Sequence, residues 1–252
     1  MPVETVPTLV GHRGYPDRYP ENTLISIQAA VEAGAAWFEF DVQLSSDRVP
    51  FLCHDDSLKR TAGLDRLIMD MSAKQLASVD VGYSALFGER YAGTPPTPLA
   101  ELVDWFGKHQ GAQAFVEIKA ESLEYFGHTQ VVERIMQTVK PVLDRCVIIS
   151  FDAPCLKLAR QMGAGPVGWA LEGVDHASTR AAAVKEAQLF KPEYLFVGDR
   201  RFSQAHAAFQ GPWQWAVYQT QDPKHAVELT EQGADLVETN AIGDMLQAFA
   251  RP

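Results

Sequence analysis

The sequence has few cysteines, and their spacing argues against two kinds of small domain. Its 252 residues contain three, Cys53, Cys146 and Cys155, and no two form a Cys-x-x-Cys pair. An odd number without such a pair indicates neither a disulfide framework nor a zinc ribbon. Because this composition fits a reducing compartment, we expect a cytoplasmic protein.

Positive charge and long apolar runs are also scarce. The chain has 22 Lys and Arg residues against 32 Asp and Glu, which gives a net charge of −10. A surface of that sign repels nucleic acid and anionic membranes, so an anionic substrate would need a local basic cluster. No stretch approaches the roughly 20 apolar residues of a membrane helix, and the N-terminus lacks a signal-peptide pattern. We therefore expect no nucleic-acid partner and no membrane span.

Short apolar runs do recur along the chain, and amphipathic stretches separate them. Strands that alternate with helical patterns indicate parallel β/α units. Eight units predict a single α/β domain over residues 1–252, a (β/α)8 TIM barrel, with an open doubly wound sheet as the alternative. The predicted strands are 8–12, 37–42, 113–119, 146–150, 166–170, 194–198, 214–218 and 235–239.

One long segment interrupts this alternation after the second strand. Residues 57–98 contain a capping box, Ser72 with Gln75, followed by many glycine, proline and aromatic residues. Loops of this length in a compact domain are commonly functional or form a small subdomain. We expect a small insertion that covers the barrel mouth, although an excursion without substrate contact fits the composition equally well.

Acidic side chains occupy alternate positions of two predicted strands. Glu39 and Asp41 share one face of the second strand, while Glu117 and Lys119 share one face of the third. In a barrel these faces would point inward, near the C-terminal mouth where active sites form. Clustered carboxylates repel one another unless a cation neutralises them, which predicts Mg²⁺ or Ca²⁺, with Mn²⁺ possible, rather than zinc. A structural ion pair between Glu117 and Lys119 is the alternative.

Two histidines and two basic side chains lie beside these carboxylates in the predicted barrel. His12 ends the first strand and His54 follows the second, which suits a general acid and base. Arg13 and Lys119 suit a phosphate group, because one offers a guanidinium fork and the other a point charge. A metal ion, two histidines and two basic side chains together predict phosphoester hydrolysis.

Two further residues beside these side chains are candidates for ligand contact. Gly14 would allow a ligand to approach the backbone closely, since it has no Cβ. Trp215, in the seventh predicted strand, is the candidate for a wall of the substrate pocket.

Five motifs of this sequence together resemble the glycerophosphodiester phosphodiesterase family. The resemblance covers nearly the whole chain, and the motifs of its first half are highly specific. They are His12-Arg13-Gly14, Pro20-Glu21-Asn22-Thr23, Glu39-Phe40-Asp41-Val42, His54-Asp55 and Glu117-Ile118-Lys119.

This resemblance implies a fold, a reaction and residue roles. The fold is a (β/α)8 barrel with a small insertion, and the reaction converts glycerophosphodiesters to sn-glycerol 3-phosphate and an alcohol. The implied roles are the acid–base pair for His12 and His54, divalent-cation ligands for Glu39, Asp41 and Glu117, and phosphate contacts for Arg13 and Lys119.

The late strands depart from the family pattern, so they leave substrate choice open. Tyr218 stands where the family often has Asn, and Asn240 stands where it often has Asp, with no proline after it. A lysophospholipase D-like activity would need an apolar path, for which Leu86, Phe87 and Tyr91 are candidates. A barrel that only binds a phosphorylated metabolite is the third interpretation. A monomer and a homodimer both fit the sequence.

Overall fold

Eight parallel strands close into a barrel in the computed structural model, which describes residues 6–250. The first strand pairs with both the second and the last, so the predicted barrel is confirmed and the open sheet is wrong. The strands are β1 (Leu9–Gly11), β2 (Trp37–Leu44), β3 (Pro50–Leu52), β4 (Gln113–Ile118), β5 (Cys146–Ser150), β6 (Val167–Ala170), β7 (Tyr194–Gly198), β8 (Gln214–Tyr218) and β9 (Leu236–Thr239).

The short strand β3 lies outside the barrel and was not predicted from the sequence. It pairs antiparallel with the end of β2, with Val42 opposite Leu52. The Cys53 amide then donates to the Asp41 carbonyl at 3.0 Å. This hairpin turns the chain back to the mouth of the barrel, which is why His54 reaches the same end as Asp41.

Helices follow the barrel strands and pack around them. Several begin at side-chain caps, as when Asp152 accepts from the Cys155 amide at 2.6 Å. The α-helices are α1 (Leu24–Glu32), α2 (Lys59–Ala62), α3 (Ala73–Leu76), α4 (Ser84–Phe87), α5 (Leu99–Lys108), α6 (Ala120–Phe126), α7 (His128–Val139), α8 (Ala153–Gln161), α9 (Ala177–Phe190), α10 (Asp199–Ala208), α11 (Pro223–Glu231) and α12 (Ile242–Phe249). Three 3₁₀ helices span Ile68–Asp70, Gly88–Tyr91 and Lys140–Arg145. None of the helices within residues 6–250 combines the length and apolar composition needed to cross a membrane.

Side-chain alternation along β2 separates the core from the site, as predicted. Phe38 and Phe40 point outward and pack beneath the helices. Glu39 and Asp41 point into the barrel instead. Below them the barrel is filled by apolar side chains, including Phe115 and Phe196, whose ring centroids lie 4.9 Å apart. The polar residues are therefore concentrated at the C-terminal mouth.

The segment after β3 forms a small unit with its own apolar cluster. Ser72 and Gln75 make the predicted capping box at the start of α3. The cluster packs the insertion against β3 and comprises Phe51, Leu58, Ile68, Met69, Met71 and Leu76. Its function as a cover for the mouth remains a prediction.

Candidate active site

Three carboxylates meet at the mouth of the barrel. Asp41 lies directly opposite Glu117 in the register of β2 and β4, and Glu39 lies two residues before Asp41 on the same face. One oxygen from each of the three lies within 4.8 Å of the others. Glu39 Oε1 is buried and has no hydrogen-bond partner among the described residues. Hard oxygen donors, one of them unpaired, fit a divalent cation such as Mg²⁺ or Ca²⁺.

Asp41 is the best neutralised of the three carboxylates. Arg13 Nε lies 3.1 Å from its Oδ2, and Lys119 Nζ lies 3.5 Å from its Oδ1. Asn22 holds the same residue twice, since its Nδ2 donates to Oδ2 at 2.8 Å and its Oδ1 accepts from the Asp41 amide at 3.0 Å. Burial opposes ionisation, but Arg13 and Lys119 outweigh it and hold the pKa of Asp41 well below its usual range.

The other two carboxylates lack this compensation. Burial, followed by the nearby charge of Asp41, raises the pKa of Glu39 well above its ordinary value. The same two causes raise the pKa of Glu117 to about 7, although Lys119 Nζ donates to it at 2.8 Å. A divalent cation would supply the positive charge that both carboxylates lack.

Burial favours the neutral form of the His12 ring. Its Nδ1 lies 2.8 Å from Asn240 Oδ1, and because an amide oxygen only accepts, we assign the ring proton to Nδ1. The Nε2 atom, 3.9 Å from Glu39 Oε2, therefore carries the lone pair. Burial and then the charge of Arg13 lower the pKa of His12 to about 4.

His54 has a charged partner where His12 has a neutral one. Its Nδ1 lies 2.6 Å from Asp55 Oδ1, and a third of the side chain is exposed. Arg60, from helix α2 of the insertion, donates from Nε to Asp55 Oδ2 at 2.7 Å. The carboxylate is thus fixed between a guanidinium and an imidazole, which orients the ring.

Glu21 connects the insertion to the barrel. Its carboxylate accepts from Arg13 Nη1 at 2.9 Å and from Arg60 Nη1 at 2.6 Å. Thr23, two residues later, caps helix α1. The motif around Glu21 therefore has two roles, since Thr23 starts the helix while Glu21 and Asn22 support the site.

Gly14 has a packing role, and the expected close approach of a ligand to its backbone stays a prediction. Its backbone is left-handed, with a φ of +90°, and a Cβ there would lie 2.5 Å from Ser26 Oγ and 2.8 Å from the Ile27 amide nitrogen. The absent side chain thus makes room for helix α1.

A pocket of about 170 Å³ opens beside these groups. Of the predicted site residues, His12, Arg13, His54, Glu117 and Lys119 line one side of it. Glu39 and Asp41 lie beneath these side chains. The opposite side is largely apolar and comprises Ile149, Phe151, Ala170, Phe196 and Tyr218.

Trp215 does not line this pocket, so the expectation for it was wrong. Its ring packs against Phe202 of helix α10 and against Phe209, which directly follows that helix, at centroid distances of 5.7 and 6.1 Å. Residues alternate faces in β8, so Ala216 and Tyr218 point into the barrel while Trp215 points toward the helices. Tyr218 provides the aromatic wall instead.

Glu238 lines the pocket and was missed from the sequence. It lies in β9, is only 3% exposed, and its Oε1 has no hydrogen-bond partner within residues 6–250. Burial, then Glu117 and Asp41, raise the pKa of Glu238 to about 8. The signal available was an acidic residue two positions after Leu236, on the inward face of a strand.

A parallel barrel with clustered carboxylates, two histidines and two basic side chains at its mouth is typical of phosphoester hydrolases. The model of the glycerophosphoryl diester phosphodiesterase family matches residues 12–244, so the chain belongs to that family.

Relatives support this membership. The chain is 29% identical over 156 residues to a glycerophosphodiester phosphodiesterase of Caldanaerobacter subterraneus, covering 61% of this chain and 62% of that protein. It is 59% identical over 58 residues to the mouse glycerophosphoinositol inositolphosphodiesterase, covering 23% of this chain and 11% of that protein. The matched regions thus span less than two thirds of these curated relatives.

Solved structures support the fold. A phosphodiesterase of Oleispira antarctica, in complex with the product sn-glycerol-3-phosphate, superposes with a TM-score of 0.78 at 23% identity over 96% of each chain. A glycerophosphodiester phosphodiesterase of Thermotoga maritima gives a TM-score of 0.76 at 23% identity, covering 98% of this chain and all of that one.

Proposed function

We propose that this protein is a metal-dependent phosphodiesterase that hydrolyses glycerophosphodiesters to sn-glycerol 3-phosphate and an alcohol. The observation that carries the proposal is the meeting of Glu39, Asp41 and Glu117 within 4.8 Å, beside a pocket lined by His12 and His54. Family membership and the product named for the Oleispira structure support the same substrate class. The test is metal-dependent release of sn-glycerol 3-phosphate from a soluble diester.

The carboxylates and cations prepare the pocket for a phosphodiester. Glu39, Asp41 and Glu117 would hold Mg²⁺, Ca²⁺ or Mn²⁺, and the bound ion would polarise a phosphate oxygen. Arg13 and Lys119 face the same pocket and offset the remaining negative charge of the phosphate as it builds up during the reaction. Glu21 and Asn22 keep Arg13 and Asp41 in place.

The hydrogen bonds of the two histidines support different roles. His12 is neutral with its lone pair on Nε2, so it takes a proton from the nucleophile. His54 faces the Asp55 carboxylate, which orients its ring, and it gives a proton to the leaving alcohol oxygen. The nucleophile is water or the neighbouring glycerol hydroxyl, and the second choice produces a cyclic phosphate that ³¹P NMR would detect before it opens.

Lysophospholipids are a second candidate substrate class. Leu86, in the insertion, is 60% exposed, which would suit contact with an acyl chain. The pocket volume of about 170 Å³ is below the roughly 300–1,000 Å³ of pockets that enclose drug-sized ligands, which favours a small soluble diester. Comparing kcat/KM for lysophosphatidylcholine in detergent with that for glycerophosphocholine decides between them.

A cytoplasmic location is part of the proposal. The three cysteines are free thiols, as expected in a reducing compartment.

A further inference from the structure

The pocket has its basic side chains on one side and aromatic side chains on the other. Arg13 follows β1 and Lys119 follows β4, beside the carboxylate cluster and on the side where the phosphate would bind. Phe151 follows β5 and Tyr218 ends β8, while Glu238 comes from β9, which pairs with β8 and β1. A ligand that fills both halves would carry a negative group at one end and a positive group at the other.

Glu238, like Glu39, has a buried oxygen without a hydrogen-bond partner in the described part of the chain, but it lies outside the carboxylate cluster. Asp41 and Glu117 are paired with Arg13 or Lys119, whereas Glu238 Oε1 is buried without a hydrogen bond among the residues described. The group of ligand oxygens within 4.8 Å of one another, searched over those residues, does not include Glu238. A buried, unpaired carboxylate is costly, so a group in the ligand that pairs with it would bind favourably.

The aromatic residues beside Glu238 suit the same kind of ligand. The rings of Phe151 and Tyr218 lie 6.4 Å apart at an interplanar angle of 68°. Trp169 Nε1 donates to the Phe151 carbonyl at 3.1 Å, which helps to fix that segment. Aromatic faces attract ammonium groups, and quaternary ammonium ions are bound by such rings in many proteins.

We propose that Glu238, Tyr218 and Phe151 form a subsite for an ammonium group on the alcohol half of the substrate. The enzyme would then prefer diesters of choline or ethanolamine to diesters of uncharged alcohols such as glycerol. This inference rests on the proposed phosphodiesterase activity, to which it adds the class of leaving group. An ammonium group against Glu238 would also lower the pKa of that carboxyl and favour its ionised form in the complex.

The test is the ratio of kcat/KM for glycerophosphocholine to that for glycerophosphoglycerol, in wild type and in Glu238→Gln. Glutamine keeps the shape and removes the charge, so we expect the ratio to fall by about tenfold, mainly through KM. Glu231→Gln, which removes an exposed carboxylate at the end of α11, is the matched control and should leave the ratio unchanged.

Two results would overturn the inference. If the ratio is unchanged with both rates intact, Glu238 does not contact the alcohol half of the substrate. If kcat/KM falls equally for both diesters, Glu238 acts on the glycerol half or at the metal site. Choline as an inhibitor of glycerophosphoglycerol hydrolysis is a second readout, and the subsite requires weaker inhibition in Glu238→Gln.

Failure of the underlying activity would look different. If wild type hydrolyses neither diester, the proposed function fails, and calorimetric titration with choline then tests the subsite alone. Wild-type binding that Glu238→Gln weakens would support the subsite, whereas equal binding or none would overturn it.

Discussion

At the scale of single residues, the barrel mouth combines side chains placed by the alternation within a strand with side chains that meet only when the barrel closes. The alternation of side chains along β2 and β4 is enough to place Glu39, Asp41 and Glu117 on the inward face. Asn240 is different, because it meets His12 across a separation of 228 residues only when β9 closes against β1. No local pattern marks such a partner.

The assignment of His12 as the base and His54 as the acid gives a prediction at the scale of single residues. His54→Ala should lower turnover of glycerophosphocholine by at least about a hundredfold, because the leaving oxygen then departs without a proton. The 4-nitrophenyl diester of glycerol 3-phosphate needs no such proton, so the same variant should retain most of its activity on it. His12→Ala should be impaired on both substrates, as measured by steady-state kinetics.

His109→Ala is the control for this pair. That histidine lies at the exposed end of α5, and its replacement should change neither rate. If His12→Ala, rather than His54→Ala, keeps most of its activity on the nitrophenyl substrate, the two roles are reversed.

Among the elements, the insertion contributes to the site in a way that composition did not indicate. Sequence predicted its length and its capping box, but not that an arginine on helix α2 would reach the side chains of the site. Arg60 binds Asp55 and Glu21 together, and so ties His54 to Arg13. The fold of the insertion follows local signals, whereas this connection depends on how it packs on the barrel.

Arg60→Ala should therefore lower kcat with a smaller effect on KM, because Asp55 loses the group that orients it. Removing a group that orients active-site ligands commonly lowers activity by roughly 10–100-fold, and we expect kcat to fall by a factor in that range. Arg60→Lys should restore only part of it, since an ammonium cannot replace a bidentate fork.

Lys59→Ala on the same helix is the matched control, because Lys59 pairs with Asp65 at the surface. Equal effects of Arg60→Ala and Lys59→Ala on kcat would show that the helix is merely destabilised and would contradict the positioning role.

At the scale of the whole molecule, the barrel gathers acidic groups at its mouth that its basic residues neutralise only in part. Burial and neighbouring carboxylates raise the pKa of Glu117 to about 7 and of Glu238 to about 8. In the metal-free protein the folded state keeps these protons while the unfolded state has lost them. These groups therefore stabilise the fold at low pH, and that contribution is lost as pH rises through 7 and 8.

Metal binding should reverse this loss, since the ion binds the ionised carboxylates. We expect the rise in Tm on adding Mg²⁺ or Ca²⁺ to be larger at pH 8.5 than at pH 6.5 by roughly 2–4 °C, the shift that about 1 kcal/mol produces in a domain of this size. His12 does not confuse the comparison, because its lowered pKa affects stability only as pH falls from about 6.5 toward 4.

Calorimetry or thermal-shift scans of wild type and Glu117→Gln provide the measurement. The variant should lose most of the metal-dependent rise at both pH values, whereas Glu231→Gln should keep it. A rise that is larger at pH 6.5 would contradict the account of the metal site.

The most direct test of the central claim is release of sn-glycerol 3-phosphate from glycerophosphocholine, glycerophosphoethanolamine and glycerophosphoglycerol. Protein freed of metal by chelation is assayed alone and with Mg²⁺, Ca²⁺ or Mn²⁺, for wild type, His12→Ala and His109→Ala. The account predicts release that requires an added ion, is abolished in His12→Ala and persists in His109→Ala. Absence of release with every ion and every diester, or equal release by the His12→Ala variant, would contradict it.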